Sequence, residues 1–256
     1  MSSQLPAPSQ FTDAINDALR EDVATADRLT MLVTDDVPTQ FPGRLLLSIT
    51  EQTPGDVEYW RTLDAAIAIE YALLHQYIHA IARAEAPLTP PAANSVYATD
   101  TVAAILDGDF LQSCAFSRLT TAIDDPALGE AAFGWISRAS TECYERTIAS
   151  ESSVTPSTVL APLSGVAARI GTTLSGGSRE QGKRAARAAR SVAAAVPVDL
   201  PTVTTEPVDV SERTEAVRTL ADAITGESNP ENVTEATSRS KKARRTITEL
   251  VRDHRN

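Results

Sequence analysis

Leu63, Ala66, Ile67, Glu70, Leu73, Leu74, Tyr77 and Ile78 recur at the three- and four-residue spacing of one helix face. The surrounding stretch 56–84 predicts a single long helix that begins near Asp56. Further helices are predicted over 9–21, 26–34, 43–53, 98–122, 127–150, 157–174, 178–195, 211–224 and 230–252. Strand signals hardly occur. Such a chain is expected to fold as an all-α bundle, with 56–84 and 98–122 side by side at its centre.

The breaks between helices carry their own chemistry. Residues 85–94 form a proline-rich loop. At Asp124-Asp125-Pro126 the proline suits a first helical turn and Asp125 the cap before it. Gly176-Gly177 separates two helices, and Ser178 with Gln181 predicts a capping box. Residues 197–210 read as an irregular internal linker, rich in Pro, Val and Thr, within one domain spanning 1–256.

At 256 residues and 42% hydrophobic content the chain can bury a sizeable core, but aromatics are only 5%, so Ala, Leu, Val and Ile must supply the packing. Net charge is −11 and lysine occurs only at 183, 241 and 242. An acidic, lysine-poor surface suits a halophile's cytosol and argues against nucleic-acid binding, because a negative field repels phosphates. Cys114 and Cys143 lie in predicted helices and read as buried free thiols. No run of about 18 apolar residues predicts a membrane span. Met1-Ser-Ser-Gln-Leu-Pro lacks the features of an export signal, so a cytoplasmic location is expected.

Several segments, in order, resemble one family. Glu70 lies in an apolar helix that ends Ile78-His79, and Ala104-Ile105-Leu106-Asp107-Gly108-Asp109 follows. Phe41-Pro42-Gly43-Arg44 precedes an apolar run. Later, 161–171 ends Arg169-Ile170-Gly171 and leads through a Gly-rich turn to Ser178-Arg179-Glu180-Gln181. The set, touching most of 10–195, resembles the trans-isoprenyl diphosphate synthases (polyprenyl synthetases). There a Glu-containing helix ends Ile-His before Asp-Asp-x-x-Asp, Ile-Leu-x-Gly-Asp opens a later helix, and Gly-Lys-Arg-x-Arg-Pro lies upstream. The resemblance implies the isoprenoid synthase fold.

The departures are as consistent as the matches. The resemblance places Asp-Asp-x-x-Asp on Ala80-Ile81-Ala82-Arg83-Ala84, none of which is acidic. Where the second aspartate motif belongs, only Asp199 remains, between Pro197 and Pro201, which would interrupt a helix. Phe41 and Pro42 replace the family's paired basic residues, its Lys-Thr falls near Val159 and Leu160, and its Gly-Gln near Arg146 and Thr147. The family's carboxylates hold Mg²⁺ against a diphosphate, so the resemblance implies a chain that keeps the fold while losing the chemistry: no catalytic residue, no metal ligand and no cofactor. By the same resemblance, Arg44 and His79 are the substrate-binding candidates. Arg44's guanidinium can grip phosphate oxygens at two points, although a surface salt bridge is its plainer reading.

Other groups have plain readings beside chemical ones. His75 and His79 lie four apart on one helix, a metal-binding spacing, but no third ligand is evident nearby, so a polar pair or a packed histidine is expected. Asp35-Asp36 and Asp124-Asp125 read as turn and cap residues, and Asp109 as a cap or a local hydrogen-bond acceptor. The basic run 239–245 reads as a solvated helix face.

Two functions compete. One is a non-catalytic homologue, a pseudoenzyme whose apolar faces bind another copy of itself or an active isoprenyl diphosphate synthase, with Ile67, Leu74, Ile78, Ile105 and Leu111 as the retained frame. The other is a divergent prenyltransferase that uses Mg²⁺. An apolar-ligand carrier reusing the prenyl-chain cavity is a third reading.

Overall fold

Every residue from Ala65 to Gln76 is buried, so the middle of the long helix is enclosed on all sides. The computed structural model describes residues 8–33, 37–52, 57–83, 100–149 and 156–193. Within them the chain forms α1 (Pro8–Asp22), α2 (Ala26–Thr30), α3 (Val37–Gln52) and α4 (Tyr59–Arg83), then α5 (Thr101–Ala122), α6 (Pro126–Ala149), α7 (Pro156–Leu174) and α8 (Arg179–Ala193). No strand occurs among the described residues. The expected helices 211–224 and 230–252, the linker 197–210, the loop 85–94, Asp35-Asp36 and the run 239–245 lie outside them.

α4 runs beside α5 as expected and also packs against α3 and α7. Tyr71, Leu73 and Ile78 from α4 join Leu45, Leu46 and Ile49 from α3, Leu111 from α5, and Leu163 and Ile170 from α7 in one core. Complete burial of each such side chain is worth about 1.5–3 kcal/mol. Ala185, Ala189 and Ala193 bury one face of α8 at four-residue intervals, and short side chains let it lie close against α7. Neither cysteine is in a disulfide; Cys143 is buried and Cys114 half-buried.

The predicted caps at Asp125 and Ser178 form, and Asp100 adds one that the sequence reading did not name. Asp100 accepts from the Ala103 N–H at 2.8 Å and Asp125 from the Ala127 N–H at 3.0 Å. Ser178 and Gln181 exchange both capping-box bonds. α7 ends in a Schellman turn, with Gly176 at φ +80° and the Gly177 N–H donating to the Thr172 carbonyl at 2.8 Å.

Several boundaries differ from the sequence reading: α4 begins at Tyr59 rather than near Asp56, and α5 at Thr101 rather than 98. α2 stops at Thr30 rather than 34. α3 begins at Val37, not at 43, and carries Pro42 inside it. A proline there removes one helix-ladder N–H, and the next N–H, that of Gly43, donates instead to a side chain of α4.

Arg118 binds three elements together. From α5, its Nε donates to Asp22 of α1 at 2.6 Å and its Nη1 to Asp64 of α4 at 2.7 Å. Tyr71 also donates its hydroxyl to Asp22, at 3.1 Å.

Candidate functional site

α4 carries two polar clusters inside its apolar frame. Glu70 and His79 are nine residues apart, which is about 13 Å of rise and half a turn out of phase. Glu70 therefore meets α3, and His79 meets α5.

On the α3 side, Glu70 is only 2% exposed and its Oε1 accepts from the Gly43 N–H at 2.6 Å. Burial pushes its carboxyl up to about 8, against the lowering effects of that hydrogen bond and of the Arg44 charge. A Cβ on Gly43 would stand 2.7 Å from Phe11 Cζ and 2.8 Å from Glu70 Oε1. Only glycine fits this approach.

Arg44 itself is buried at 7% exposure, which corrects the surface salt-bridge reading. Its Nε and Nη2 donate to Gln40 Oε1 at 3.1 and 2.6 Å, and Gln40 donates onward to Thr12 at 2.6 Å. The guanidinium lies 5.9 Å from the Phe11 ring centre. Arg44 is thus an internal cation joined to α1 through Gln40.

On the α5 side, the structure supplies the partner that the sequence spacing left out. His75, His79 and Asp109 each bring a donor atom within 4.8 Å of the others. Asp109 faces another helix through Oδ1, which lies 3.2 Å from His79 Nε2; it is not the local cap that the sequence suggested. His75 Nδ1 lies 2.9 Å from the Gly108 carbonyl oxygen. Burial, with the charge of His79 second, pulls the His75 imidazole down to about 4. It is neutral at pH 7, with Nδ1–H donating to that carbonyl and Nε2 keeping the lone pair. Gly108 makes the approach possible, since a Cβ there would stand 2.7 Å from His79 Nε2. Asp107 turns the other way, accepting from Thr25 at 2.9 Å and pairing with Arg28 at 3.4 Å.

The positions where the resemblance implies metal-binding aspartates do not fit Mg²⁺. Ala80 is buried, and Arg83 carries its guanidinium 5.0 Å from the Tyr144 ring centre. Mg²⁺ takes a near-octahedral oxygen shell, and this end of α4 offers a cation instead. Asp199 and its neighbours lie outside the described residues.

Beside this cluster, α5 turns an apolar strip outward. Val102 is 68% exposed, Leu106 63%, Phe110 47% and Ile105 42%. Of the expected apolar frame, Ile67, Leu74, Ile78 and Leu111 are buried in the chain's own core, and Ile105 alone reaches the surface. No described helix is long and apolar enough to cross a membrane.

No protein-family model matches the chain, and no curated protein does. Solved structures do. An isoprenoid synthase family member from Thermotoga neapolitana superposes with a TM-score of 0.60 at 18% identity, over 95% of this chain and 99% of that one. A geranyltranstransferase from Thermotoga maritima gives 0.57 at 17% identity, over 96% and 98%. The geranylgeranyl pyrophosphate synthetase of Pyrococcus horikoshii gives 0.54 at 19% identity, over 96% and 89%. At these identities the likeness establishes the fold: this chain has the all-α architecture of the isoprenyl diphosphate synthases.

Proposed function

We propose that this chain is a non-catalytic homologue of isoprenyl diphosphate synthases, acting by association as a structural or regulatory partner in isoprenoid biosynthesis. The observation that carries the reading is the end of α4, where Ala80, Ile81 and Ala84 stand in place of the implied carboxylates and Arg83 lies between them. Ionising an allylic diphosphate requires the charge on the leaving group to be neutralised, which metal ions accomplish in such sites. An end of α4 without carboxylates and with an added cation does not hold those ions. Arg44 and His79, the diphosphate-binding candidates, belong to separate clusters on opposite faces of α4.

The partner surface we assign is the α5 strip of Val102, Ile105, Leu106 and Phe110, since contiguous exposed apolar residues mark interaction faces. Its occupant is a second copy of this chain or an active isoprenyl diphosphate synthase, in the cytoplasm. A stable complex would bury about 1,200–2,000 Å² in all. Light-scattering mass in high salt, for the chain alone and mixed with an active synthase from the same organism, tests this. A dimer or a mixed complex is expected. A strict monomer that neither binds nor alters the synthase sinks the reading, and a Mg²⁺-dependent micromolar heat with an isoprenyl diphosphate restores the enzyme.

A further inference from the structure

We propose that His75, His79 and Asp109 form a binding site for a single transition-metal ion of the Zn²⁺ class, with one coordination position left for water. The proposal does not depend on the partner role above.

Three features of the cluster carry it. First, His79 Nε2 is sealed from solvent and has no hydrogen-bond partner. Asp109 Oδ1 lies within ion-pair distance at 3.2 Å, yet the two atoms form no hydrogen bond. Two such donors, close together with no hydrogen bond between them, can serve as ligands of a third centre. Tetrahedral Zn²⁺ with bonds of about 2.0–2.1 Å holds its donors about 3.3 Å apart. Second, His75 and His79 are four residues apart on a continuous helix, which brings their rings together, tilted at 49° with centres 4.2 Å apart. Third, the Gly108 carbonyl takes the Nδ1–H of His75, the outer hydrogen bond by which metal-bound imidazoles are held in one tautomer.

The donor set selects the ion. Two imidazoles and one carboxylate suit Zn²⁺, Co²⁺ or Ni²⁺, whereas Mg²⁺ and Ca²⁺ demand oxygen shells. Arg83 adds positive charge near His75, which weighs against a hard cation held by charge alone. Asp109 is 63% exposed on its side chain and gives the ion a path from solvent. The described residues contain no other group of three or more such ligands. The bland reading, an ordinary His79–Asp109 ion pair, leaves the buried nitrogen without a hydrogen-bond partner.

The test uses the full chain stripped with chelator, in high salt at pH 7.5. Co²⁺ serves as the optical probe and Zn²⁺ as its competitor. One equivalent of Co²⁺ should give the visible bands of a tetrahedral site, Zn²⁺ should displace it, and millimolar Mg²⁺ should not. Zn²⁺ should raise the melting temperature of the wild type. His79→Gln and Asp109→Asn should each weaken Zn²⁺ at least tenfold and lose that rise. The chain's third histidine, His254, and its two cysteines are the other soft donors. Absent Co²⁺ bands, or Zn²⁺ affinity unchanged in both variants, would overturn the site.

Discussion

Glu70 Oε1 accepts a hydrogen bond from the backbone N–H of Gly43 at 2.6 Å, joining two helices across a gap in which a single added carbon would collide with Phe11. The stability of the fold should respond to both partners of this contact.

The first response is to pH. The Glu70 carboxyl moves from its ordinary 4.5 to about 8 on folding. Between those values the unfolded chain has released the proton while the folded chain retains it. The Glu70 contribution is thus complete below pH 4.5 and is lost as pH rises toward 8, by about 1.4 kcal/mol per unit inside that window. Denaturant titrations in a pH series should show the wild type losing stability relative to Glu70→Gln. A constant difference between the two would contradict the assignment.

Gly43→Ala should destabilise the chain by about 1–3 kcal/mol, although alanine is the better helix former by about 1 kcal/mol. Phe11→Leu in the same chain should recover part of that loss by removing the ring atom nearest the new methyl. Urea midpoints of the two single variants and the double variant measure the coupling.

Arg118→Met should cost about 3 kcal/mol, because Asp22 and Asp64 then face a partly buried space without their cation. Adding Asp22→Asn should cost less than it does in the wild type. Additive losses across that double-mutant cycle would show that the contacts are independent.

Leu106→Arg should abolish association while changing stability by less than about 0.5 kcal/mol, since the side chain is 63% exposed in the single chain. Sedimentation and thermal melting on the same sample separate the two effects.

Local order was largely legible in the sequence. Helical periodicity located α4 and α5, and short-range cap chemistry located Asp125, Pro126, Ser178 and Gln181, because those signals act within one turn. What escaped was set by distance along the chain. The sequence reading starts a helix at 43, just after Pro42, yet α3 passes through Pro42 while the Gly43 N–H finds its acceptor 27 residues away. Asp109 is 30 positions from His79, so its place beside the imidazole exists only once α4 and α5 are packed. The burial of Arg44 was hidden for the same reason, since its guanidinium is satisfied by Gln40 and Gln40 in turn by Thr12.

The enclosure of α4 has a consequence for how the molecule comes apart. A helix with no solvent-facing side between Ala65 and Gln76 cannot expose its amides by fraying or by the departure of one neighbour. Their deuterium uptake should follow the rate of complete unfolding, while amides near the ends of α1 and α8 exchange sooner. Helix α4 is the slow clock of the molecule, the element whose exchange times the loss of all the others.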